Sequence, residues 1–531
     1  NSSQNKMLRI LGVDNDAVNQ GWMCDKGRYN FEYLNSDSRL KTPLKMMDNE
    51  LVEIKIQDIY SELTEFIKDR QTKVNFLLGS NLTNEDYVAF REFSKTISQS
   101  ESSFYLNDDL LYKGFFGDNI ELAKINDLNS SDAIVVWAED LKEKLPVLYL
   151  RIRQAVKNGV KLVVFGHTNE TLSDIADVFY GKDMVSENFE ILKDLSKMKE
   201  INNLVVGKNI TAILGKSTPY QADESITKLF EFLNSNANSK VLNAYSKGNT
   251  YGAFQTLENL KGLNDFVNDI SKDNTDLLFI VGADPIGRSV YSNQIKSIIK
   301  SIDTVVTLDN FNHETSELSD YVVPISSTLG EKEGTFTNIE FRTSRIEKLV
   351  PSPGQTVSDW EFITSLMNFA GLKAEANSLE DLNRKAYENL DSSLSPVFDN
   401  LDKPSNLDGM INISKPKIST SENKLNKTMF FTGEKLYGDS ATERHSDSIS
   451  MLGSKKFIEV SESVVEKYNL TSGSCTLTQD ELEVTVSYEV NNNFPNDLVY
   501  IPTNRRELNK FDFSREILII PTQVKEALNV N

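Results

Sequence analysis

The chain has 531 residues, and its 57 Lys and Arg against 78 Asp and Glu give a formal net charge of −21. This charge argues against binding to nucleic acid or to an anionic membrane by bulk electrostatics. Two cysteines that lie far apart, Cys24 and Cys475, argue against a disulfide framework and fit a reducing compartment, while the length allows about three domains.

The sequence contains no apolar run approaching the roughly 18 residues that a membrane-spanning helix needs. Its best apolar runs are short, such as AIVVWA (133–138) and LLFIVGA (277–283). Residues 1–20 start with Asn and have neither a basic start nor the apolar core of a signal peptide. We therefore expect no transmembrane segment, and we expect that a preceding segment was removed or is not included in this sequence.

The segment 22–44 places a cysteine beside a compact, basic turn. Cys24 offers a thiolate, Lys26 and Arg28 supply positive charge, and Gly27 allows a tight bend of the backbone. Such surroundings suit a negatively charged iron–sulfur cluster. The alternative from these residues is a free buried cysteine next to a surface turn.

From residue 52 the pattern alternates between helices and buried strands. Helices are predicted over 52–68, 83–97, 146–158, 221–235 and 290–300. Strands are predicted over 74–80, 133–138, 161–167, 204–207, 211–217, 276–284 and 303–309. Short strand–helix–strand connections are typical of a parallel α/β fold.

The character of the sequence changes after Leu318. A helix is predicted over 358–370, and the polar stretch 372–428 is interpreted as a linker or wrapping segment with a helix near 379–390. From Met429 onward, short β-like runs recur around one short helix at 461–468. This spacing predicts a small C-terminal β-barrel of about 100 residues.

Common catalytic motifs are missing from the sequence, which has no GxSxG elbow, HExxH helix or GxxxxGK[ST] loop. The segment GADPIG (282–287) follows a predicted strand but lacks the GxGxxG spacing. We interpret it as a plain strand-to-helix turn, with a phosphate-binding loop as the alternative.

His313 with Glu314, and separately His167, follow predicted strands, where a catalytic base could lie. A hydrogen-bonded loop histidine is the favoured interpretation. Cys475 is interpreted as a small strand residue rather than a ligand. A further acid/base set, for which an ion-pair network or a solvated face is the favoured alternative, consists of Glu331, Lys332, Glu333, Glu340, Arg342 and Arg345.

The segment WMCDKGRY (22–29) resembles the end of the iron–sulfur domain in the molybdopterin oxidoreductase superfamily, where the fourth cluster cysteine is followed by Lys-Gly-Arg. Together with RLKTPL (39–44), it is most similar to the large-subunit (G) family of NADH–quinone oxidoreductase, respiratory complex I. Further similarity covers 145–166, 304–324 and 330–345, followed by Asp359-Trp360. The resemblance therefore spans nearly the whole chain.

This resemblance implies an α/β body of mostly parallel sheets with flanking helices, plus a small C-terminal β-barrel. The implied domains are the end of a 4Fe–4S domain (1–46), the body (47–371), the linker (372–428) and the β-barrel-like domain (429–531). The implied function is electron transfer and scaffolding within complex I, from NADH and flavin towards quinone, by a chain that is not catalytic in isolation.

The resemblance also implies a cofactor site. Cys24 would be the last ligand of an additional 4Fe–4S cluster, with Lys26 and Arg28 tuning its charge, three further cysteines upstream and a 2Fe–2S cluster in the same missing region. No molybdenum is expected, because no cysteine lies between Cys24 and Cys475, although a Ser or Asp ligand stays open. The alternatives are a catalytic molybdopterin oxidoreductase of formate dehydrogenase type and a structural subunit without metal.

The implied partners are other peripheral-arm subunits: the NADH- and flavin-binding subunit, the 2Fe–2S subunit and the quinone-site subunits. Nucleic acid is not an expected partner. The implied location is the cytoplasmic side of the bacterial inner membrane, as a peripheral part of the complex.

Overall fold

The computed structural model describes residues 1–68, 72–97, 102–108, 121–137, 140–166, 170–180, 195–215, 238–387, 428–453, 457–513 and 515–522. In chain order, its strands are β1 (Ser2–Ser3), β2 (Lys6–Met7), β3 (Leu44–Met47), β4 (Glu50–Glu53), β5 (Val74–Leu78), β6 (Phe104–Leu106), β7 (Glu121–Leu122), β8 (Ala133–Trp137), β9 (Lys161–Phe165), β10 (Val178–Tyr180), β11 (Ile210–Leu214), β12 (Ser239–Asn243), β13 (Leu277–Val281), β14 (Thr304–Asp309), β15 (Tyr321–Pro324), β16 (Gly334–Thr337), β17 (Thr343–Ile346), β18 (Met429–Gly433), β19 (Phe457–Val460), β20 (Ser474–Gln479), β21 (Leu482–Val490), β22 (Leu498–Pro502) and β23 (Leu518–Pro521).

The helices of the same ranges are α1 (Asp25–Tyr29), α2 (Ile56–Lys68), α3 (Asn84–Ile97), α4 (Leu141–Lys144), α5 (Pro146–Lys157), α6 (Glu170–Ser173), α7 (Leu195–Val205), α8 (Thr250–Thr256), α9 (Leu263–Asp269), α10 (Pro285–Arg288), α11 (Ser292–Ser301), α12 (Asp359–Phe369), α13 (Leu379–Ala386), α14 (Ala441–Arg444), α15 (Asp447–Gly453) and α16 (Glu462–Lys467). A 3-10 helix, Asn30–Asn35, continues directly from α1. Within the described ranges, each helix is too short or too polar to span a bilayer.

The first α/β sheet has the strand order β4-β3-β15-β14-β13-β5-β6. Its central strands β5 and β13 are fully buried and pair in parallel, with Leu277 opposite Val74. Strands buried on both faces read as continuous apolar runs, which explains why the sequence predicted them. The antiparallel hairpin of β3 and β4 closes one edge of this sheet.

The second α/β sheet is inserted into the first, because β7 to β12 lie between β6 and β13 in the chain. It has the order β10-β9-β8-β11-β12-β7 and is parallel throughout. Its core is built from strand residues such as Val136 and Ile213 together with Ile152 of α5. The hairpin of β16 and β17 then follows the return of the chain to the first sheet.

The C-terminal sheet has the order β18-β22-β19-β21-β20-β23 and mixes parallel with antiparallel pairs. Its first and last strands, β18 and β23, do not pair with each other in the described part of the chain. The predicted α/β body with a C-terminal β domain is therefore confirmed, and the β domain is an open half-barrel.

Some local predictions need correction. Residues 204–207 were predicted as a strand, but they form the end of α7 and the turn after it, because Ile201 and Val205 are buried with helical spacing. The start of the predicted helix 52–68 is also wrong, since α2 begins at Ile56 after strand β4. The predicted helix 221–235 and His167 lie outside the described residues.

Candidate functional site

Cys24 is the N-cap residue of α1. Its backbone is extended (φ −71°, ψ 158°), and its Sγ accepts a hydrogen bond of 3.4 Å from the backbone N–H of Gly27. The side chain is half-buried. The sequence Cys-Asp-Lys-Gly thus folds into one tight turn with the sulfur atom at its start.

The charged neighbours of Cys24 attach this turn to the C-terminal domain. Lys26 Nζ lies 2.7 Å from Oε1 of Glu443, whose side chain is fully buried. Burial would raise the pKa of Glu443, but the positive charges of Lys26 and Arg288 lower it to about 2. Arg28 is half-buried and forms no ion pair with residues of the described ranges.

Asp25 and Glu32 extend the contact between the Cys24 turn and the C-terminal domain. Asp25 accepts a hydrogen bond of 2.8 Å from the hydroxyl of Tyr437, and Glu32 accepts bonds from the backbone and side chain of Ser448. Burial, followed by the bond to Asp25, raises the pKa of Tyr437 to about 12. The Cys24 segment therefore docks on a surface formed by residues that follow β18.

Arg39 fixes the end of the Cys24 segment to the α/β body. Its guanidinium makes two parallel hydrogen bonds, of 2.9 and 2.8 Å, to the carboxylate of Glu331, and both side chains are buried. Tyr33 adds a 2.6 Å hydrogen bond to Ser327. Bidentate pairs of this kind fix geometry as well as adding energy.

Glu434 is the centre of a second charge cluster, which joins all three sheets. Its carboxylate lies 3.0 Å from Lys144 Nζ, 3.4 Å from Lys247 Nζ and 3.6 Å from Arg288 Nη2. These cations follow the carboxyl ends of β8, β12 and β13, whereas Glu434 follows β18. Burial, and then the charge of Arg288, lower the pKa of Lys247 to about 8. We call this set the Glu434 cluster.

His313 lies buried between two carboxylates at the carboxyl ends of β13 and β14 in the first sheet. Its Nδ1 is 3.3 Å from Asp284, which follows β13, and its Nε2 is 3.3 Å from Asp309, which ends β14. Burial would lower the pKa of His313, but the two negative charges raise it to about 10. The imidazole is thus held as a cation, which favours the structural interpretation over a catalytic base.

The segment 282–287 forms the strand-to-helix turn that was predicted. Asp284 caps α10 by accepting a 3.1 Å hydrogen bond from the backbone of Gly287, where a Cβ atom would lie 2.2 Å from the Asp284 carboxylate. The carboxyl ends of β5 and β13 also approach closely, since a Cβ at Gly79 would lie 2.0 Å from the carbonyl oxygen of Gly282.

The predicted acid/base set is divided into ion pairs. Glu331 bonds Arg39, Lys332 bonds two aspartates described below, and Glu340 accepts a 2.7 Å hydrogen bond from the backbone of Ile125. The remaining pairs are Glu333 with Arg345 and Glu340 with Arg342. Glu314 pairs with Arg506 of the C-terminal domain. The ion-pair interpretation is therefore confirmed for these residues, three of which, Glu331, Lys332 and Glu340, are buried.

Cys475 lies in strand β20, fully buried in the core of the C-terminal domain, and burial raises its pKa to about 11. It is a packing residue, as predicted. Within the described ranges, no group of three or more His, Cys, Asp or Glu side chains could hold a metal ion. The structure thus brings together Cys24, Lys26 and Arg28, but it adds no second thiolate to them.

Sequence reasoning missed Lys247, Arg288, Glu434 and Glu443, which hold the domains together. Arg288 directly follows the GADPIG segment (282–287). The glutamates lie in a region interpreted only as β-like, where no local pattern distinguishes a buried carboxylate from an exposed one.

Comparison with known proteins adds the family context. Residues 39–369, more than half of the chain, match the family model described as molybdopterin oxidoreductase. The F420-dependent formate dehydrogenase subunit alpha of Methanocaldococcus jannaschii is 22% identical, with 70% of this chain and 69% of that protein covered. A second such subunit, from Methanococcus maripaludis, is 23% identical, with 68% of this chain and 66% of that protein covered.

The G subunit of NADH-quinone oxidoreductase from Buchnera aphidicola is also similar, at 23% identity, with 65% of this chain and 43% of that protein covered. The chain thus spans about two thirds of the first relatives and less than half of the last. Among solved structures, acetylene hydratase from Pelobacter acetylenicus has a TM-score of 0.59 at 12% identity, covering 90% of this chain and 87% of that one. This likeness concerns the fold.

Proposed function

Because the chain belongs to the molybdopterin oxidoreductase family, we propose that it is an iron–sulfur electron-transfer and scaffold subunit of an NADH:quinone oxidoreductase. In this role it relays electrons from NADH and flavin towards quinone and does not catalyse a reaction in isolation. The relatives' names place them as subunits of oxidoreductases, which supports a chain that works with partners. Sequence identity does not separate the candidate functions, since it is 22–23% for all three relatives.

The observation that carries this proposal is the Glu434 cluster. In open α/β sheets, cofactors bind beyond the carboxyl ends of the strands. Here the cations that follow β8, β12 and β13 converge on the carboxylate of Glu434, and Asp284 is engaged by His313. A bulky pterin at this edge would have to break these partly buried ion pairs, at a cost of several kcal/mol.

The side chains that could bind molybdenum are also restricted. The family resemblance leads us to expect a Cys, selenocysteine, Ser or Asp ligand for the metal in the α/β body, and the sequence has no cysteine between Cys24 and Cys475. A molybdenum ligand in the body would therefore have to be a Ser or an Asp, and we assign no reaction step to that cofactor.

The residues around Cys24 fit one corner of an iron–sulfur site. A 4Fe–4S cluster needs about four thiolates, and it supplies one-electron transfer when bound. Cys24 offers one thiolate at the start of α1, while the buried Cys475 belongs to another domain. The remaining ligands would have to come from outside these 531 residues.

In this proposal the chain's own residues fix the position of the cluster ligand. The pairs Lys26–Glu443 and Asp25–Tyr437 hold α1 against the C-terminal domain, and Arg39–Glu331 holds the end of the segment against the body. Arg28, which has no ion pair among the described residues, is the charge that would face the cluster or a partner. Packing and ion pairs around a ligand set its orientation and the potential of its metal.

The proposed partners are the peripheral-arm subunits that bind NADH and flavin, the 2Fe–2S cluster and quinone, and the proposed location is the cytoplasmic side of the bacterial inner membrane. The second candidate is a catalytic molybdopterin oxidoreductase of formate dehydrogenase type, favoured by the similarity to the two methanogen proteins. Metal analysis of the protein, isolated with its partner subunits, separates the two. We expect iron without stoichiometric molybdenum, whereas one molybdenum per chain with formate oxidation would reject the proposal.

A further inference from the structure

Lys332 lies buried between two aspartates. Its Nζ is 2.6 Å from Oδ2 of Asp86 and also pairs with Oδ2 of Asp359. Lys332 is 3% exposed, and both aspartates are fully buried. One ammonium group therefore faces two carboxylates in a place that water does not reach. We call these three residues the Lys332 triad.

The two carboxylates differ in their other partners. Asp86 also accepts hydrogen bonds from the backbone of Thr83, at 2.8 Å, and of Trp360, at 3.2 Å. Oδ1 of Asp359 has no hydrogen-bond partner in another residue of the described ranges. With both aspartates ionised, the triad would have a buried net charge of −1, which is strongly disfavoured unless a proton is bound. The oxygen free to hold that proton is Oδ1 of Asp359.

Among the described residues, Lys332 is the cation that pairs with Asp86 and Asp359, whereas the buried Arg91 of α3 pairs with Glu92. From α3 come Glu85, whose pKa is raised by burial, and Tyr87, and from α12 comes Glu361, which caps its own helix. Glu331, next to Lys332 in the chain, pairs with Arg39, so that each of these two charges is satisfied by the other. Burial raises the pKa of Asp359, the positive charge of Lys332 lowers it, and the negative charge of Asp86 raises it. The resulting pKa is about 7.

The triad also joins the body to the Cys24 segment. Glu331, next to Lys332 in the chain, holds Arg39, and Ser327 holds Tyr33. On the other side, Thr335 donates to Glu85 of α3 through its backbone and its hydroxyl, at 2.8 and 2.9 Å. A change in how Lys332 is held therefore acts on a loop that contacts both α3 and the segment beginning at Cys24.

We propose that Asp359 holds the proton of the Lys332 triad and that the triad is a proton-controlled latch, in which loss of this proton loosens segment 327–337 from α3 and α12. The inference goes beyond the proposed electron-transfer role and does not depend on which oxidoreductase contains the chain. It concerns how firmly the Cys24 segment is anchored.

Hydrogen exchange of the intact chain at several pH values tests this latch. A group whose pKa is raised in the folded state contributes stability that is fully present below its unfolded pKa of 3.8 and is lost as the pH rises through about 7. After correction for the intrinsic exchange rate, we expect protection of backbone amides in 331–337 to fall by up to about tenfold per pH unit between pH 5 and 7. Above pH 7 the fall should level off.

Two isosteric variants assign the proton. Asp359→Asn should abolish the pH dependence and keep the protection that the wild type has at pH 5. Asp447→Asn, at the exposed first residue of α15, should keep the wild-type dependence. A wild-type chain without pH dependence in 331–337 would overturn the proposal, whether or not the variants fold. So would an Asp359→Asn protein with the wild-type slope, or loss of the slope in Asp86→Asn but not in Asp359→Asn.

Discussion

Lys26 and Glu443 form a 2.7 Å ion pair that joins the helix beginning at Cys24 to the C-terminal domain. The pair is asymmetric, because the side chain of Lys26 is 36% exposed whereas that of Glu443 is fully buried. Removal of the lysine would therefore leave a buried carboxylate without its ion-pair partner, compensated by the charge of Arg288 and by hydrogen bonds from Gly438 and Ser440.

Lys26→Met is expected to lower the free energy of unfolding by about 1–3 kcal/mol, a range reduced for the partial exposure of the lysine. Chemical denaturation measures this change. The matched control is Lys467→Met, because Lys467 is equally exposed but pairs with Asp497, which is 41% exposed. The control should change stability by less than about 1 kcal/mol. Equal effects of the two substitutions would show that the buried carboxylate does not depend on Lys26.

Glu434→Gln is expected to destabilise the contact among the three sheets by about 2–4 kcal/mol, because Lys144, Lys247 and Arg288 would lose their shared anion. Denaturation at low and high salt measures the effect, and added salt should recover part of the loss by screening the three cations. Glu481→Gln, at the exposed turn between β20 and β21, is the control and should be neutral. A neutral Glu434→Gln would remove the main support for a closed carboxyl edge.

His313 should make stability depend on pH in the alkaline range. Its folded pKa of about 10 is above the ordinary 6.5, so the stability it contributes is fully present below pH 6.5 and is lost as the pH rises through 10. The expected slope is at most about 1.4 kcal/mol per pH unit. His313→Gln should remove this slope, whereas His445→Gln, at a half-exposed histidine, should leave it. Identical pH profiles for the two variants would contradict the buried imidazolium.

Much of the fold could be predicted because its signals are local. Strand β13 is a fully buried apolar run, and β5 is one apart from Asn75. Helix α3 begins where it was predicted, next to Thr83, which exchanges two hydrogen bonds with Asp86. The failure at 204–207 has the opposite cause. A run of three apolar residues fits a strand and the end of a helix equally well, and here the burial of Ile201 and Val205 at helical spacing decides for α7.

The site was less predictable, because its contacts link distant parts of the chain. Cys24, Lys26 and Arg28 are neighbours in sequence and could be chosen as a group. Asp25 and Tyr437, by contrast, are 412 positions apart. Arg39 and its partner Glu331 are 292 positions apart, and Lys26 pairs with Glu443 of the C-terminal domain, relations that no local spacing reports.

The central claim is that Cys24 is a ligand in an electron-transfer subunit, and electron paramagnetic resonance of the reduced complex tests it most directly. Spectra of the wild type, Cys24→Ala and Cys475→Ala are compared, with the second cysteine as the control because it is buried in the C-terminal core. The account predicts that Cys24→Ala loses one 4Fe–4S signal while Cys475→Ala keeps them all. An unchanged spectrum in Cys24→Ala would contradict it.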